Sequence, residues 1–244
     1  MKTLVIIPSR LSASRLPGKP LLKINGLSII SHVYKKAQEA DIGEVFVAAE
    51  DQEIVEDVRK NGGEAILTGN DHKTGTDRIY EALSKLGRTD VELVMNLQGD
   101  EPLMNIEDIK NLNNQMKKNQ SQLGTLASKI KDRELFENQN IVKVMTKEKL
   151  NNTNFPEAIN FMRKIFNQGE NIYHHLGIYC YQKETLQNFV SFNQSSNELK
   201  NKLEQLRALD NSIKINVALA ISSPIGVDTK EDFLAIKKIM EYKT

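Results

Sequence analysis

The chain has 244 residues, 39% of them hydrophobic and 27% charged, so it contains enough apolar material to form a globular core. Its 33 basic and 32 acidic residues give a formal charge of +1, which argues against a nucleic-acid groove or a membrane-binding surface. The single cysteine, Cys180, excludes an intrachain disulfide and is typical of a reducing compartment. The apolar run at 4–7 is too short for a signal peptide or a membrane-spanning helix. We therefore expect a soluble, cytoplasmic protein without nucleic-acid or membrane partners.

Short apolar runs alternate with amphipathic segments in the first half of the chain. Four runs of aliphatic and β-branched residues predict strands, at 4–7, 45–49, 65–67 and 91–97. Apolar residues at helical spacing predict helices around 29–37, 54–58 and 79–86. This alternation is typical of βαβ units, so we predict an α/β fold with a Rossmann-like, mostly parallel sheet flanked by helices.

The second half is less regular and is rich in Asn, Lys and Glu between residues 131 and 172. Its apolar patterns predict strands at 123–130, 142–144, 177–181 and 213–220. They predict helices at 107–118, 183–191 and 197–209 and after Asp228. Because the sequence contains no Pro/Ser-rich linker and no internal repeat, we predict one domain, 1–244, with an insertion at 131–172.

Three polar loops punctuated by Gly or Pro follow predicted strands, at 8–19, 69–78 and 98–102. In open α/β sheets, ligands bind outside the carboxyl ends of the strands, which is where these loops are expected to lie. The first loop places Arg10, Arg15 and Lys19 within ten residues. Fixed cations and exposed backbone N–H groups offset the charge of a triphosphate, so this loop predicts a triphosphate site.

Two common phosphate-binding motifs are absent from the sequence. Gly18 and Lys19 resemble the end of a Walker A loop, but Pro20 stands where Ser or Thr is required, and the earlier glycine is missing. The dinucleotide fingerprint G-x-G-x-x-G is also missing. The predicted triphosphate site therefore belongs neither to a P-loop protein nor to a G-x-G-x-x-G dinucleotide enzyme.

Seven sequence blocks carry a resemblance over nearly the whole chain. The first is I-P-S-R at 7–10, continued by S-R-L-P-G-K-P-L at 14–21. The others are D-H-K-T-G-T-D-R at 71–78, N-L-Q-G-D-E-P at 96–102, V-K-V at 142–144, H-L-G-I-Y at 175–179, L-E-Q-L-R at 203–207 and G-V-D-T at 226–229. In this order, the blocks closely resemble the 3-deoxy-manno-octulosonate cytidylyltransferase (CMP-Kdo synthetase) family.

The resemblance implies a reaction as well as a fold. The fold would be of the nucleotide-diphospho-sugar transferase type, and the enzyme would be a homodimer with 131–172 as its dimerisation region. The reaction would transfer CMP from CTP to 3-deoxy-D-manno-octulosonate (Kdo) for lipopolysaccharide biosynthesis, with Mg²⁺ as cofactor. In it, the C2 hydroxyl of the sugar attacks the α-phosphate and expels pyrophosphate.

The resemblance also implies roles for individual residues. The implied CTP-binding residues are Pro8, Ser9, Arg10, Arg15, Lys19, Thr74, Gly75, Arg78 and Gln98. The implied catalytic residues are Asp100, Asp228, Lys19 and Arg15, and the two aspartates among them are the implied Mg²⁺ ligands. The implied sugar-binding residues are Arg163, His175, Tyr179, Glu204 and Gln205.

Reasoning from the residues alone leaves several of these roles open. Asp100 follows a predicted strand and Gly99, where a carboxylate can face a crevice and bind Mg²⁺ together with phosphate oxygens. Asp228 precedes a predicted helix, so it is either a metal ligand or an N-cap, and Thr229 can serve as the cap nearly as well. His175 is either a structural group or a ligand. His72 and Asp77 are interpreted as a loop polar group and a first-turn acid.

The sugar acid stays open because one segment departs from the family pattern. Residues 160–166 are N-F-M-R-K-I-F, without the family's proline, and additional residues precede them at 146–157. The alternatives to Kdo are its 8-amino-8-deoxy analogue and, more distantly, a neuraminate. A protein of another class, a nucleotide-binding regulator without catalysis, would be expected to lack a metal carboxylate or a phosphate cation. This sequence retains them all.

Overall fold

The structure, a computed structural model, describes residues 1–12, 15–130, 136–165 and 170–242. The chain divides into two compact units. The first unit comprises Lys2–Val91, Asn96–Ile106 and Pro224–Thr244, and the second comprises Met1, Glu92–Met95 and Glu107–Ser223. The interpretation of 1–244 as a single domain stays a prediction. Within the predicted insertion, residues 131–135 and 166–169 lie outside the described part of the chain.

The helices and strands follow the predicted order closely. The strands are β1 (Thr3–Ser9), β2 (Lys23–Ile24), β3 (Leu27–Ser28), β4 (Gly43–Ala49), β5 (Ala65–Leu67), β6 (Leu93–Asn96), β7 (Leu123–Ser128), β8 (Lys143–Thr146), β9 (Ala158–Met162), β10 (Ile172–Gln182) and β11 (Ile215–Leu219). The α-helices are α1 (Ile29–Glu39), α2 (Gln52–Lys60), α3 (Gly75–Leu86), α4 (Ile106–Asn119), α5 (Lys183–Ser191), α6 (Ser196–Asn201), α7 (Leu206–Asp210) and α8 (Lys230–Glu241). None of the helices described is long and apolar enough to cross a membrane.

The first unit is built on parallel strands in the order β1-β4-β5. Val5 lies opposite Val45 in the register, and Ala48 lies opposite Ile66. Residues 4–7 are completely buried, as expected for a parallel strand covered on both faces. Helix α1 follows the predicted apolar spacing, and its N-cap Ser28 accepts a hydrogen bond from the Ser31 N–H at 3.2 Å. The predicted βαβ organisation is confirmed in this unit.

Helix α3 begins earlier than its apolar pattern indicates. The Thr74 hydroxyl accepts the Asp77 N–H at 3.3 Å, and the Asp77 carboxylate accepts the Thr74 N–H at 3.1 Å, which completes a capping box. Gly75 and Arg78 therefore belong to the first helical turn, so the predicted loop at 69–78 was too long. The interpretation of Asp77 as a first-turn acid is confirmed.

The C-terminal segment of the first unit is fastened beside the loop that follows β6. Val227 packs in a small apolar cluster with Ile24, Ile29 and Ile236, and its N–H donates to the Asp100 carbonyl at 2.9 Å. This bond holds the backbone before Asp228 next to Asp100. Two segments more than a hundred residues apart in sequence thus meet at one place.

The second unit has a mixed sheet in the order β11-β7-β10-β6, with β8 beside β10 and β9 beside β8. Strand β11 runs parallel to β7, whereas β10-β7, β10-β8 and β8-β9 are antiparallel. Strands β8 and β9 both come from the predicted insertion, where only 142–144 was predicted as a strand. Cys180 is buried in β10, and burial raises the pKa of its thiol to about 12, consistent with the packed side chain predicted from its apolar surroundings.

One predicted helix of the second unit is in fact two. The segment at 197–209 forms α6 and α7, because Lys202 adopts the left-handed conformation with φ 52° and ends α6. The break turns the two helices so that Glu198 of α6 and Arg207 of α7 form a buried, bidentate ion pair at 2.6 and 2.8 Å. Helical periodicity alone does not reveal this contact.

Candidate active site

An open cleft of about 330 Å³ lies in the first unit, formed by the loops after β1, β5 and β6. Every residue that was predicted to bind CTP or metal lines it: Pro8, Ser9, Arg10, Arg15, Lys19, Thr74, Gly75, Arg78, Gln98, Asp100 and Asp228. The loops therefore meet as the rule for open α/β sheets requires. The cleft has the size of a small-molecule site.

Lys19 is the centre of the charged side of the cleft. Gly18, with φ 72°, turns the chain into the short 3₁₀ helix at Lys19–Leu21, which orients the lysine inward. The Lys19 Nζ donates to the Asp100 carboxylate, to the Val227 carbonyl at 2.9 Å and to Asp228 Oδ1 at 3.4 Å. Its side chain is only 15% exposed. A single ammonium group thus gathers both aspartates around one point.

Arg15 completes this cluster from the solvent side. Its Nη2 lies 3.0 Å from Asp228 Oδ2, and its side chain is mostly exposed. Asp228 is not the N-cap of α8, since Thr229 occupies that position and accepts the Asp232 N–H at 3.1 Å. The structure thus excludes the N-cap role for Asp228, and its role as a metal ligand stays a prediction. The Asp228 carboxylate is directed to the cleft cations and not to the helix.

Arg78 forms part of a second polar group in the cleft wall. Its buried guanidinium donates to Thr68 Oγ1 at 2.8 Å and to the Gly69 carbonyl at 3.1 Å, and it pairs with Glu50. The Glu50 carboxylate compensates the charge of Arg78. The arginine therefore shapes the wall without adding net positive charge to it. Glu50 was missed in the sequence because it lies just after β4, outside the predicted loops.

Two polar atoms of the cleft region are buried and lack a partner among the described residues. Ser9 Oγ lies in the cleft wall, and Glu101 Oε2 lies next to Asp100. Burial, together with the charges of Asp100 and Asp228, raises the pKa of Glu101 to about 8. Both causes favour the protonated form of this carboxyl group. Its position directly after Asp100 was the only signal in the sequence for this environment.

The donor set of the cleft fits a hard divalent cation. Asp100 and Asp228 reach the same ammonium group, so their carboxylates come close enough to share one ion. Mg²⁺ is commonly held by one or two carboxylates together with phosphate oxygens and water. The described residues contain no cluster of three or more His, Cys, Asp and Glu ligands. The two aspartates therefore suit an ion that takes its other ligands from a nucleotide.

The residues predicted to bind the sugar lie in the second unit. His175 and Tyr179 are both on β10, on either side of a bulge between Leu176 and Tyr179, and their ring centroids are 5.5 Å apart. Thr125 Oγ1 lies 3.0 Å from His175 Nε2. Burial, with His174 as a smaller cause, lowers the pKa of His175 to about 3, so its ring is neutral at pH 7. Burial and the nearby Tyr181 and Glu204 raise the pKa of Tyr179 well above its usual value.

Arg163 is connected to the turn that precedes the other two predicted sugar ligands. It follows β9, and its guanidinium donates to the carbonyls of Asn201 and Lys202, both at 3.3 Å. Glu204 follows this turn and lies 4.0 Å from Arg207, while Gln205 is the buried N-cap of α7. The altered segment at 160–166 ends in Phe166, which lies outside the described residues.

The chain is also similar to known proteins in sequence and in structure. The family described as Cytidylyltransferase matches residues 4–215. The chain is 42% identical to a 3-deoxy-manno-octulosonate cytidylyltransferase of Afipia carboxidovorans, over 98% of this chain and 96% of that protein. It is similar to a solved CMP:2-keto-3-deoxy-manno-octonic acid synthetase complexed with CTP, with a TM-score of 0.90 and 34% identity over the whole of both chains. A UDP-glucose pyrophosphorylase complexed with UDP-glucose shares the fold alone, with a TM-score of 0.70 and 13% identity over both full lengths.

Proposed function

This chain belongs to the cytidylyltransferase family, among the 3-deoxy-manno-octulosonate cytidylyltransferases, and we propose that it transfers CMP from CTP to Kdo, releasing pyrophosphate. The observation that carries the proposal is the cluster of Lys19, Arg15, Asp100 and Asp228 at one side of the cleft. Cations and carboxylates held together in this way provide both charge neutralisation and a metal site for a bound triphosphate.

The cations of the first loop act on the phosphates. Lys19 and Arg15 offset the charge that develops on the leaving pyrophosphate, and the exposed Arg10 adds a third cation at the mouth of the cleft. Ser9 offers the nucleotide its buried hydroxyl, which has no partner among the described residues. No side chain is needed as a covalent nucleophile, so positioning and electrostatics account for the rate.

The two aspartates hold Mg²⁺ in this proposal. Asp100 and Asp228 supply its protein ligands, and their partner Lys19 then interacts with phosphate oxygens. Held there, Mg²⁺ would supply Lewis-acid polarisation of the α-phosphate and a lower pKa for the attacking C2 hydroxyl. Asp100 and Asp228 both bond to the ammonium group of Lys19, and this closeness of the two carboxylates supports the assignment.

The acceptor is held by residues of the second unit. Arg163 supplies a cation for the sugar carboxylate, and His175, Tyr179, Glu204 and Gln205 supply hydrogen bonds to the hydroxyl groups. Two observations support this assignment. Tyr179 lies beside the ring of His175, and Glu204 is close enough to contribute to the raised pKa of Tyr179. Arg163 donates a hydrogen bond to the Lys202 carbonyl, in the turn before Glu204. Kdo is favoured over its 8-amino analogue by the full-length similarity to enzymes named for that acid.

A substrate panel tests the proposal. Pyrophosphate release is measured with CTP, UTP, ATP and GTP, each combined with Kdo, 8-amino-8-deoxy-Kdo and N-acetylneuraminate, in the presence of Mg²⁺. We expect release with CTP and Kdo that is lost on addition of EDTA. Preference for 8-amino-Kdo or the neuraminate would change the acceptor assignment alone. Tight CTP binding without turnover on any of the three acids would contradict the enzyme assignment and favour a binding protein.

The same proposal includes a cytoplasmic homodimer. CTP is a cytoplasmic nucleotide, and Cys180 is a free, buried thiol. Among the described strands β9 pairs in a ladder with β8 alone, with one bridge from Glu157, just before it, to Asn216 of β11, and Ile159 on β9 is half exposed. An edge strand with an exposed apolar side chain is suited to pairing with a second copy. Light scattering after size exclusion measures the assembly, and Ile159→Lys should shift it to a monomer if β9 forms the interface.

A further inference from the structure

His72 lies in the wall of the cleft, in the loop between β5 and α3. The sequence indicated only an ordinary polar group at this position. The structure shows that one nitrogen of its ring already has a partner, because Nε2 contacts Oε2 of Glu81, a residue of α3. A histidine with one nitrogen fixed by a carboxylate and a side chain lining a ligand cleft is a candidate for ligand recognition.

The carboxylate of Glu81 determines which nitrogen of His72 carries the proton. Glu81 accepts hydrogen bonds from the Gly69 N–H at 2.8 Å and from the Lys85 ammonium at 2.6 Å, in addition to the contact with His72. Burial raises the pKa of Glu81, but the bonds from Lys85, His72 and Gly69 outweigh it and lower the pKa to about 2. The ionised carboxylate can only accept, so His72 Nε2 is the donor. In the neutral ring, Nδ1 then carries a lone pair and is an acceptor.

The contacts of His72 are separate from the phosphate side of the cleft. Lys19 and Arg15 bond to Asp100 and Asp228, where the proposed triphosphate lies. Glu81, by contrast, bonds to the backbone of Gly69, whose carbonyl accepts from Arg78. Because Glu50 compensates Arg78, the buried part of this wall suits an uncharged ring better than a phosphate, while the exposed Lys73 lines the cleft beside His72. A triphosphate bound to Lys19 thus leaves the His72 wall for the nucleobase.

Cytosine and uracil differ in what they present to such a wall. Cytosine carries a 4-amino group, which donates, whereas uracil carries a carbonyl at the same position, which accepts. A fixed acceptor therefore favours cytosine and is repelled by uracil, and a site built to hydrogen-bond one group rejects its analogue strongly. We infer that Nδ1 of His72 accepts a hydrogen bond from the 4-amino group of cytosine and sets the preference for CTP over UTP. Glu81 is the positioning residue that fixes the ring tautomer. The inference rests on CTP being the nucleotide of the proposed function.

Three variants test the acceptor and its orientation. His72→Gln keeps a polar group near the Nε2 position and removes the one at Nδ1, whereas His72→Asn keeps an amide near Nδ1. Glu81→Gln can donate to Nε2, which allows the tautomer with hydrogen on Nδ1. The ratio of kcat/KM for CTP to kcat/KM for UTP is measured with Kdo as acceptor. We expect this ratio to fall about 10- to 100-fold in H72Q and in E81Q, and less in H72N.

The ratio distinguishes recognition from a structural role. A variant that only loosens the fold lowers kcat/KM for both nucleotides by the same factor and leaves the ratio unchanged. His32→Gln is the matched control, because His32 lies outside the cleft lining and its Nε2 bonds to the Ile24 carbonyl at 2.8 Å. Calorimetric binding of CTP and UTP to each variant checks the ratio without the acceptor.

Different results would contradict the role of His72 and the proposed function. If wild-type protein prefers CTP and both H72Q and E81Q keep its CTP:UTP ratio, the inference is overturned. If wild-type protein does not turn over CTP with Kdo, the proposed function fails instead. If H72Q does not fold, the ratio measured in E81Q and H72N decides.

Discussion

The two units hold their proposed functional groups in different ways. In the first unit, charged side chains such as Lys19 and Asp100 project from loops into an open cleft and compensate one another. In the second unit, His175 and Tyr179 lie on the long strand β10, in contact with other rings. Burying an unpaired charge is costly, so ionised groups are either partly solvated or paired, whereas neutral rings can lie inside packed elements.

The largest effect is expected from removing one charge from the cleft of the first unit. We expect Asp100→Asn to lower kcat about 1000-fold, because the shape is retained while a metal ligand and the partner of Lys19 are lost. Pyrophosphate release measures turnover, and circular dichroism checks the fold. Glu56→Gln, which neutralises an exposed acid on α2, serves as a control and should keep normal turnover. Near-normal turnover of Asp100→Asn would contradict its assignment to the metal.

A charge removed from the interior of the second unit should affect stability instead. Glu198 and Arg207 are 4% and 2% exposed, and Arg207 also stacks over Phe189 at 4.7 Å. We expect Glu198→Gln to lower the free energy of unfolding by about 3 kcal/mol, since it removes the carboxylate that binds the buried guanidinium of Arg207 through two hydrogen bonds. Urea unfolding measures this loss. Turnover per folded molecule should stay close to wild type, and a loss below about 1 kcal/mol would argue against a buried ion pair.

The pH dependence of stability tests whether the buried ring of His175 is neutral. The pKa of His175 is about 3 in the folded protein against an ordinary value near 6.5, so below pH 6.5 the unfolded chain binds a proton that the folded one does not. The free energy of unfolding therefore falls as the pH drops from 6.5 toward 3. At pH 5 this amounts to about 2 kcal/mol. His175→Gln should remove this part of the slope in urea unfolding at pH 7, 6 and 5, and an unchanged slope would contradict the burial of a neutral ring.

The smallest expected effect is a loss of stability at Thr229, the neighbour of Asp228 in the first unit. Thr229→Ala removes the N-cap of α8 and should cost about 1 kcal/mol of stability without changing kcat. Asp228→Asn should lower kcat and leave the helix capped. Thermal unfolding and pyrophosphate release are measured on both variants. If Thr229→Ala lost activity as strongly as Asp228→Asn, the division of roles between the two residues would be wrong.

Helices and strands that are defined by a local apolar pattern were predicted well, and those that depend on other contacts were not. Strand β5 and helix α1 were predicted almost to the residue, because a buried parallel strand and an amphipathic helix have local apolar patterns. The start of α3 was displaced, since Thr74 and not an apolar residue decides it. Strand β9 was missed because its position depends on pairing with β8, which the local sequence does not encode.

The residues of the candidate site could also be predicted only in part from the sequence. The loop cations and Asp100 could be selected from the sequence, because polar, glycine-containing segments after strands mark the ligand edge of an α/β sheet. The choice between Asp228 and Thr229 required the backbone bond from Val227 to Asp100, which aligns one side chain with Lys19 and the other with the helix. His72 could not be selected, because its importance depends on Glu81, a contact made between a loop and a helix.

The sequence by itself determined the α/β class, the order of most elements and the loops that form the cleft. These features depend on local periodicity and on residue types with few conformational alternatives. Only the tertiary structure decided which charges compensate one another, which carboxylate faces the cleft and which histidine of the cleft contacts a carboxylate. Those properties depend on distances between residues far apart in the chain, and electrostatic interactions and hydrogen bonds are set by such distances and not by sequence neighbours.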